Sequence, residues 1–199
     1  MARALPPAPP RPQGALRADV VDAVRSVQRL PFVWPGPPHA EAARRAGAGT
    51  CASKHALLAE YLDALGVESF PLLVVGPLVP AALADDAELA GGRDLVEVHE
   101  CLTILTPWAG PLRVDVTVDP ALATLGIPAT LEWDGVSDMA LAVETDAPGW
   151  AVARAELRPA KEALRRRLYL ATDRARRDAI LRRLSDRYAA WRAQRAMSR

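Results

Sequence analysis

Apolar residues recur at the spacing of an α-helix in three parts of the chain. Valines repeat in this way within residues 15–30, leucines within 51–65, and leucines and alanines from Pro159 onward. Gly66 follows the second stripe, where a glycine readily adopts the left-handed conformation that ends a helix. We therefore expect an N-terminal helix, a helix that begins near Cys51, and a C-terminal helical segment.

The middle of the chain has the short apolar runs, rich in β-branched residues, that are typical of strands. The segments that predict strands are residues 70–75, 95–106, 112–118, 130–133 and 139–144. The sequence PWAGP lies between the second and third of them and predicts a five-residue hairpin turn. This order of elements predicts an α+β fold, with the cysteine-bearing helix packed on an antiparallel sheet and helices flanking it at both ends.

The length and the charge distribution suggest how the chain is divided. Its 199 residues, half of them hydrophobic, suit one compact domain. We divide the chain into a flexible proline-rich tail (1–14), the main domain (15–158) and a basic helical segment (159–199). The last segment has thirteen Lys/Arg against four Asp/Glu and the rest has twelve against twenty, so +9 and −8 sum to +1. A basic segment suits an anionic partner, but a basic helix lying against an acidic body is the simpler interpretation.

Several classes of protein do not match the sequence. No apolar run is long enough to span a membrane, and the N-terminal residues lack the apolar centre of a signal peptide. Two cysteines without a signal peptide indicate free thiols in a reducing compartment, so we expect a cytoplasmic protein. There is no phosphate-binding glycine loop, zinc finger or helix-turn-helix pattern, which argues against a nucleotide cofactor and a nucleic-acid partner.

The position of Cys51 at the predicted start of a helix suggests chemistry. Unpaired N–H groups and the positive end of the helix dipole favour a thiolate there and lower the thiol pKa. The same N–H groups suit the oxyanion that forms when a thiolate attacks a carbonyl. A packed core thiol is the alternative, and the position alone does not decide between the two.

A histidine and two aspartates lie on the strands predicted after this helix. His99 is in the middle of one strand, and alternation puts Asp115 and Asp119 on one face of the next. A thiol beside an imidazole gives a reactive ion pair, and a carboxylate beside the imidazole fixes its tautomer. A hairpin symmetric about Ala109 places Asp119 opposite His99, whereas an uneven turn brings Asp115 nearer, so periodicity leaves both aspartates open.

Three segments carry a resemblance to a known family: GTCASKHALLAEYLDALGV, LVEVHECLTIL and GPLRVDVTVDP. Over roughly residues 47–120 the chain resembles the core of the transglutaminase-like superfamily, which has a papain-like fold. In that core a glycine-x-cysteine begins a helix, a strand with a histidine follows, and the next strand reads hydrophobic-Asp-x-Thr. The resemblance implies Cys51 as the nucleophile, His99 as the base and Asp115 as the residue that orients the base, with Asp119 as the second choice.

The resemblance also implies a type of reaction. The expected chemistry is acyl transfer through a thioester: hydrolysis of an amide or ester, deamidation, or transfer to an amine. The expected substrates are proteins, peptides or small amides and esters, with no cofactor. We expect Trp34, Gly49, Thr50 and His55 around the substrate and the oxyanion. Trp34 would supply an indole N–H or an apolar wall over the thiol, although packing is its simpler role. His55 would position Lys54 or the substrate, or serve only local packing.

Two alternatives belong to other functional classes. Cys51 and His55 share a helix face, and His99 and Cys101 share a strand face, so together they suit a Cys2His2 metal site. Because the spacing matches no common zinc module, we predict no metal. The other alternative is a non-catalytic module of the same fold that binds a protein or a nucleic acid.

Overall fold

The computed structural model of the protein describes residues 12–197 and has the α+β fold that the sequence predicts. The helices are α1 (Gln13–Gln28), α2 (Ala40–Ala46), α3 (Cys51–Ala64), α4 (Pro120–Ala123), α5 (Leu157–Leu168) and α6 (Ala171–Met197). The strands are β1 (Ser69–Pro77), β2 (Val96–Thr106), β3 (Gly110–Val114) and β4 (Trp150–Ala151). Most of the predicted tail lies outside the described residues, and α1 already begins at Gln13.

The four strands form one antiparallel sheet in the order β3-β2-β1-β4. Strands β1 and β2 pair along their whole length, from Ser69 opposite Ile104 to Pro77 opposite Val96. Strand β3 pairs only with the second half of β2. The first half of β2, which carries His99, therefore has no strand beside it on that side among the described residues, and the candidate site forms there.

Helix α3 begins at Cys51 because the residues around its start form a capping box. The Thr50 side chain accepts a hydrogen bond from the Ser53 N–H, and the Ser53 side chain accepts one from the Thr50 N–H. The helix ends at Ala64, and Gly66 follows it with a φ of 74°, which glycine adopts without strain. The predicted start and end of this helix are both confirmed.

The main core lies between α3, α1 and one face of the sheet. Its members are buried apolar side chains, among them Val20, Val24, Val27, Leu57, Leu58, Leu62, Leu102, Ile104 and Val114. The other face of β2 packs separately, since Cys101 lies with Val74, Leu141 and Val143. Because Cys101 and Leu102 point to opposite faces, β2 shows the predicted strand alternation.

The basic residues of α5 and α6 pair with acidic residues of the rest of the chain. In the interior, Arg177 pairs with Glu97 and Lys161 pairs with Glu100. One further pair, Arg174 with Glu162, is exposed and lies within the basic segment, so it does not join that segment to the rest of the chain. The charge asymmetry of the sequence is therefore partly neutralised by contacts within the chain, in line with a basic helix against an acidic body. No helix among the described residues has the length and apolar character that crossing a membrane requires.

The hairpin between β2 and β3 is shorter than predicted. Thr106 pairs with Gly110, so the loop has three residues instead of five, and the pairing is centred on Trp108 instead of Ala109. Continued past Val114, this register would set Asp115 opposite Cys101, two positions from His99 on the same face.

Two parts of the strand prediction are wrong. Strand β3 ends at Val114, not Val118, because the N–H groups beyond it donate to side chains instead of to β2. Residues 130–133 and 139–144 form no strand. Their N–H groups do not form a ladder of hydrogen bonds with a neighbouring strand; the Ala140 N–H, for example, donates to the Thr130 hydroxyl.

Candidate active site

Cys51 is the first residue of α3 and lies half-buried on the wall of a pocket. Gly49 lies two residues before Cys51, and its N–H donates a hydrogen bond to the Pro31 carbonyl. A Cβ at position 49 would meet Lys54 Cγ at 2.8 Å and Ser53 Oγ at 2.9 Å, closer than real Cβ atoms approach. A larger residue at this position would therefore displace the helix start that carries the sulfur.

His99 and Asp115 are hydrogen-bonded in the interior. The His99 Nε2 atom lies 2.7 Å from Asp115 Oδ2, which also accepts from the Ala142 N–H at 2.8 Å. The second oxygen, Oδ1, accepts from the Thr117 N–H at 2.9 Å. Burial raises the pKa of Asp115, but the charge and hydrogen bond of His99 outweigh burial and hold that pKa well below its usual range. Asp115 is therefore an ionised acceptor for the ring.

The other nitrogen of the His99 ring, Nδ1, is not used by Asp115, and His99 and Cys51 line the same pocket. Burial raises the pKa of Cys51, but the charge of Lys161, the bond with His99 and the charge of His99 together lower it. Burial lowers the pKa of His99, but Asp115 and Cys51 outweigh burial and raise it to about 10. This combination favours a thiolate beside an imidazolium, the reactive form of such a pair.

Lys161 of α5 is a second cation near the sulfur. It is buried, and its Nζ atom lies 3.1 Å from Glu100 Oε2. Burial lowers the pKa of Lys161, but the negative charges of Cys51 and Glu100 outweigh burial and raise it. Lys161 therefore remains charged at neutral pH and favours the thiolate. Sequence reasoning missed it, because no local pattern marks one cation of a basic helix as the one that faces the site.

His55 lies beneath the site, not beside a substrate, so the expected substrate contact is wrong. Its side chain has 0 % exposure. Its Nδ1 donates to the Cys51 carbonyl at 2.7 Å, and its Nε2 accepts from the Val116 N–H at 3.1 Å. Burial lowers the pKa of His55 to about 4, more than nearby Asp115 raises it. A neutral His55 therefore ties the first turn of α3 to the backbone beyond β3.

Lys54 is a second buried residue that holds backbone segments together by hydrogen bonds, and the sequence did not reveal this role. Its side chain has 0 % exposure, and its ammonium donates to the carbonyls of Gln28, Leu30 and Thr117 at 3.2, 2.8 and 3.0 Å. These carbonyls belong to the end of α1 and to the segment after β3. Burial lowers the pKa of Lys54 to about 7. The residue joins three segments around the site, and a lysine within an amphipathic stripe gives no sign of this.

Asp119, the second choice for the third residue, lies outside the hydrogen-bonded group. Its carboxylate accepts from the Phe32 N–H at 3.1 Å, caps α4 through the N–H groups of Ala121 and Leu122, and pairs with Arg192. The prediction that it contacts His99 is wrong, because the chain leaves β2 after Val114 and turns away. Asp115 is the aspartate that reaches the ring.

The backbone donors expected to hold an oxyanion are shifted along the chain. The N–H groups of Gly49 and Thr50 are already used, by Pro31 O and by Ser53 Oγ. The capping box leaves the N–H groups of Cys51 and Ala52 without a partner among residues 12–197. By helix geometry these are the first-turn donors that can bind an anion next to the sulfur.

Trp34 stands on the wall of the pocket, across from the first turn of α3. The Arg177 guanidinium lies over its ring, 5.3 Å from the centroid, and the backbone N–H of Trp34 donates to the Ser185 hydroxyl at 2.8 Å. Its ring is therefore held against α6 and forms part of an apolar wall, one of the two roles expected from the sequence.

The pocket beside Cys51 is small, about 80 Å³, and mainly apolar. Besides Cys51 and His99 its lining includes Phe32, Trp34, Leu78, Val118, Leu122, Ile127, Leu181, Leu184 and Tyr188. Helix α6 supplies one wall, so the basic segment that the sequence set apart from the main domain contributes directly to the pocket. Sequence reasoning missed this wall, because its leucines follow an ordinary helical stripe.

The four side chains considered for a metal do not converge. Cys101 packs with Val74, Leu141 and Val143, its sulfur donates to the Leu72 carbonyl at 3.7 Å, and burial raises its pKa. Across the described part of the chain no three His, Cys, Asp or Glu side chains are grouped to hold a metal ion. Both cysteines are free thiols.

Comparisons of the chain with protein-family models, curated proteins and solved structures gave no match. The chemistry of the site therefore rests on its own geometry: an activated thiol, a charged imidazole with a fixed carboxylate, open backbone donors and an adjoining apolar pocket.

Proposed function

We propose that the protein is a thiol enzyme with a transglutaminase-like core that transfers or hydrolyses acyl groups through a thioester on Cys51. The observation that supports this function is that Cys51 and His99 line one pocket and that the His99 ring is hydrogen-bonded to Asp115. The three residues follow one another along the chain, as in the superfamily that the sequence resembles.

The first half of the proposed reaction acylates the cysteine. His99 holds the proton from Cys51, and the thiolate attacks the carbonyl carbon of an amide or ester. A C–S bond forms, and the negative charge moves to the carbonyl oxygen, which the N–H groups of Cys51 and Ala52 bind. As the tetrahedral species collapses, the bond to the leaving amine or alcohol breaks and His99 gives it the proton. Asp115 keeps the ring oriented and stabilises its charged form.

The second half releases the acyl group. His99, now neutral, takes a proton from water or an amine, whose oxygen or nitrogen attacks the thioester. Collapse of the second tetrahedral species breaks the C–S bond and returns the Cys51–His99 ion pair. No redox step or cofactor is needed. We propose protein, peptide or small amide and ester substrates, and a cytoplasmic setting, because both thiols are free and the nucleophile must stay reduced.

Selective alkylation tests the proposed nucleophile. With limiting iodoacetamide near pH 6, we expect Cys51 to be carboxamidomethylated well before Cys101, because the two thiol pKa values shift in opposite directions. Peptide mass spectrometry locates the label, and the same treatment in denaturant, where both thiols react, is the control. Slow and equal labelling of the folded protein would instead support a binding module.

Turnover is the second test. We expect p-nitrophenyl acetate to leave an acetyl group on Cys51, detected by mass, and to release p-nitrophenolate continuously. A Cys51→Ala variant should lose both signals, whereas Cys101→Ala should keep both. Acylation that persists in Cys51→Ala would contradict the assignment.

A further inference from the structure

The pocket beside Cys51 carries no uncompensated charge apart from the reacting pair. Glu97 and Arg177, both on its wall, bind one another through two parallel hydrogen bonds of 2.5 and 2.7 Å. Arg165 adds a third bond to Glu97, and the last Arg177 bond goes to Asp178. Both Glu97 oxygens and three of the five Arg177 N–H groups are engaged, so each of these charges is balanced by its partner. A charged group entering the pocket would lose its hydration without gaining an ionic partner.

The size of the pocket limits what enters it. A cavity of roughly 150 Å³ holds a benzene ring, and this pocket has about 80 Å³. By that proportion it takes about three or four carbons beyond the reacting carbonyl. Its leucine, isoleucine and valine walls favour hydrocarbon over a polar side chain such as a primary amide.

We propose that the acyl group transferred through Cys51 is short, uncharged and mainly hydrocarbon, of about four carbons in all. The proposal rests on the proposed function, since it names the substrate class of the same site. The step is the acylation given above: the C–S bond forms at the acyl carbon, and the leaving oxygen departs with the proton from His99.

A series of p-nitrophenyl esters tests the acyl group. The probes are the acetate, butyrate, octanoate and hemisuccinate. We expect kcat/KM to rise about fourfold per methylene from acetate to butyrate and to fall at octanoate. We expect the hemisuccinate to be poorer than butyrate by at least about tenfold, since its carboxylate finds no partner. A preference for the charged or the long ester would overturn the proposal.

Variants of the pocket wall sharpen the test. Leu181→Ala enlarges the pocket, so the preferred ester should shift from butyrate toward octanoate. Ile180→Ala is the matched control, because Ile180 is equally buried on α6 but packs on Gly92, away from the pocket. It should change stability alone. The same shift in both variants, or in neither, would contradict the assignment of this wall.

If no ester acylates Cys51, as read by mass, the proposed function itself fails; acylation with another chain-length or charge preference refutes only the substrate class.

Discussion

Asp115 has a buried histidine on each side, and the two histidines differ in charge. His99 has its pKa raised to about 10, whereas His55 has its pKa lowered to about 4. Both side chains are buried, and burial lowers the pKa of both. Their ring planes are nearly perpendicular, with centroids 6.3 Å apart. Two residues of one type, in one region of the interior, are therefore in opposite states at neutral pH.

The difference comes from what each ring nitrogen meets. His99 is hydrogen-bonded to a carboxylate and lies near the Cys51 thiol, and both groups favour a charged ring. His55 accepts from an N–H through Nε2, which a protonated ring cannot do, and donates through Nδ1 to a carbonyl. Bond partners, not burial, set the two states. The His99 side is therefore suited to proton transfer, and the His55 side to holding the site in shape.

The largest expected effect separates the two histidines. His99→Gln should lower kcat/KM for the acetate ester by about ten-thousand-fold, since no base remains. Its Cys51 alkylation should also lose the low-pH reactivity and follow an ordinary thiol with a pKa near 8.5. His55→Gln should keep the low-pH alkylation and lower thermal stability instead. Equal alkylation profiles for the two variants would show that the histidines do not have separate roles.

The two aspartates give the next effect. Asp115→Asn should lower kcat/KM by about a thousandfold, because the amide neither stabilises the imidazolium nor favours the required tautomer. The pH profile of Cys51 alkylation should shift upward in this variant. Asp119→Asn is the matched control: it removes a charge from the pair with Arg192 and should lower stability without moving that profile. A larger kinetic loss in Asp119→Asn would contradict the observed geometry.

Lys54, like His55, is expected to affect stability. Lys54→Met leaves three buried carbonyls without a donor and should lower the free energy of unfolding by about 3 kcal/mol at pH 9. Denaturant titration measures this loss. Gln28→Ala, which keeps its backbone carbonyl, should have a much smaller effect.

The pH dependence of that loss has a definite sign. Lys54 has a folded pKa of about 7, below the ordinary value, so between these values the unfolded chain binds the extra proton. This contribution to stability is present above about pH 10.4 and disappears as the pH falls toward 7, with a slope of at most about 1.4 kcal/mol per pH unit. The free energy of unfolding of the wild type, measured relative to that of Lys54→Met, should therefore increase as the pH rises. A constant difference between the two proteins would contradict the depressed pKa.

The smallest expected effect concerns Lys161, the second cation near Cys51. Lys161→Met removes a positive charge near Cys51 and leaves Glu100 unpaired, and both changes raise the thiol pKa. Alkylation of Cys51 at pH 6 should slow by about threefold to tenfold. Arg166→Met, on an exposed part of the same helix, is the control and should leave the rate unchanged. Equal rates in both variants would remove Lys161 from the site.

The site shows where sequence reasoning succeeds and where it fails. Cys51 and His99 were found because each lies in a recognisable local pattern, a helix start and a strand. Asp115 and Asp119 could not be separated by periodicity, since both fit the same alternating face. The choice depends on a hairpin centred on Trp108 and on a strand that ends at Val114, and both are set by contacts with residues distant in the chain.

The sequence by itself determined the helices with regular apolar stripes, the strands β1 and β2, the α+β class and the start of α3 at Cys51. These follow from local spacing, caps and turns, which act between near neighbours in the chain. Only the tertiary structure decided that Lys54 and His55 are buried ties, that Lys161 lies near the sulfur, and that α6 forms a pocket wall. Those roles depend on which distant groups share the interior, because there a polar atom must find its partner wherever the fold brings one.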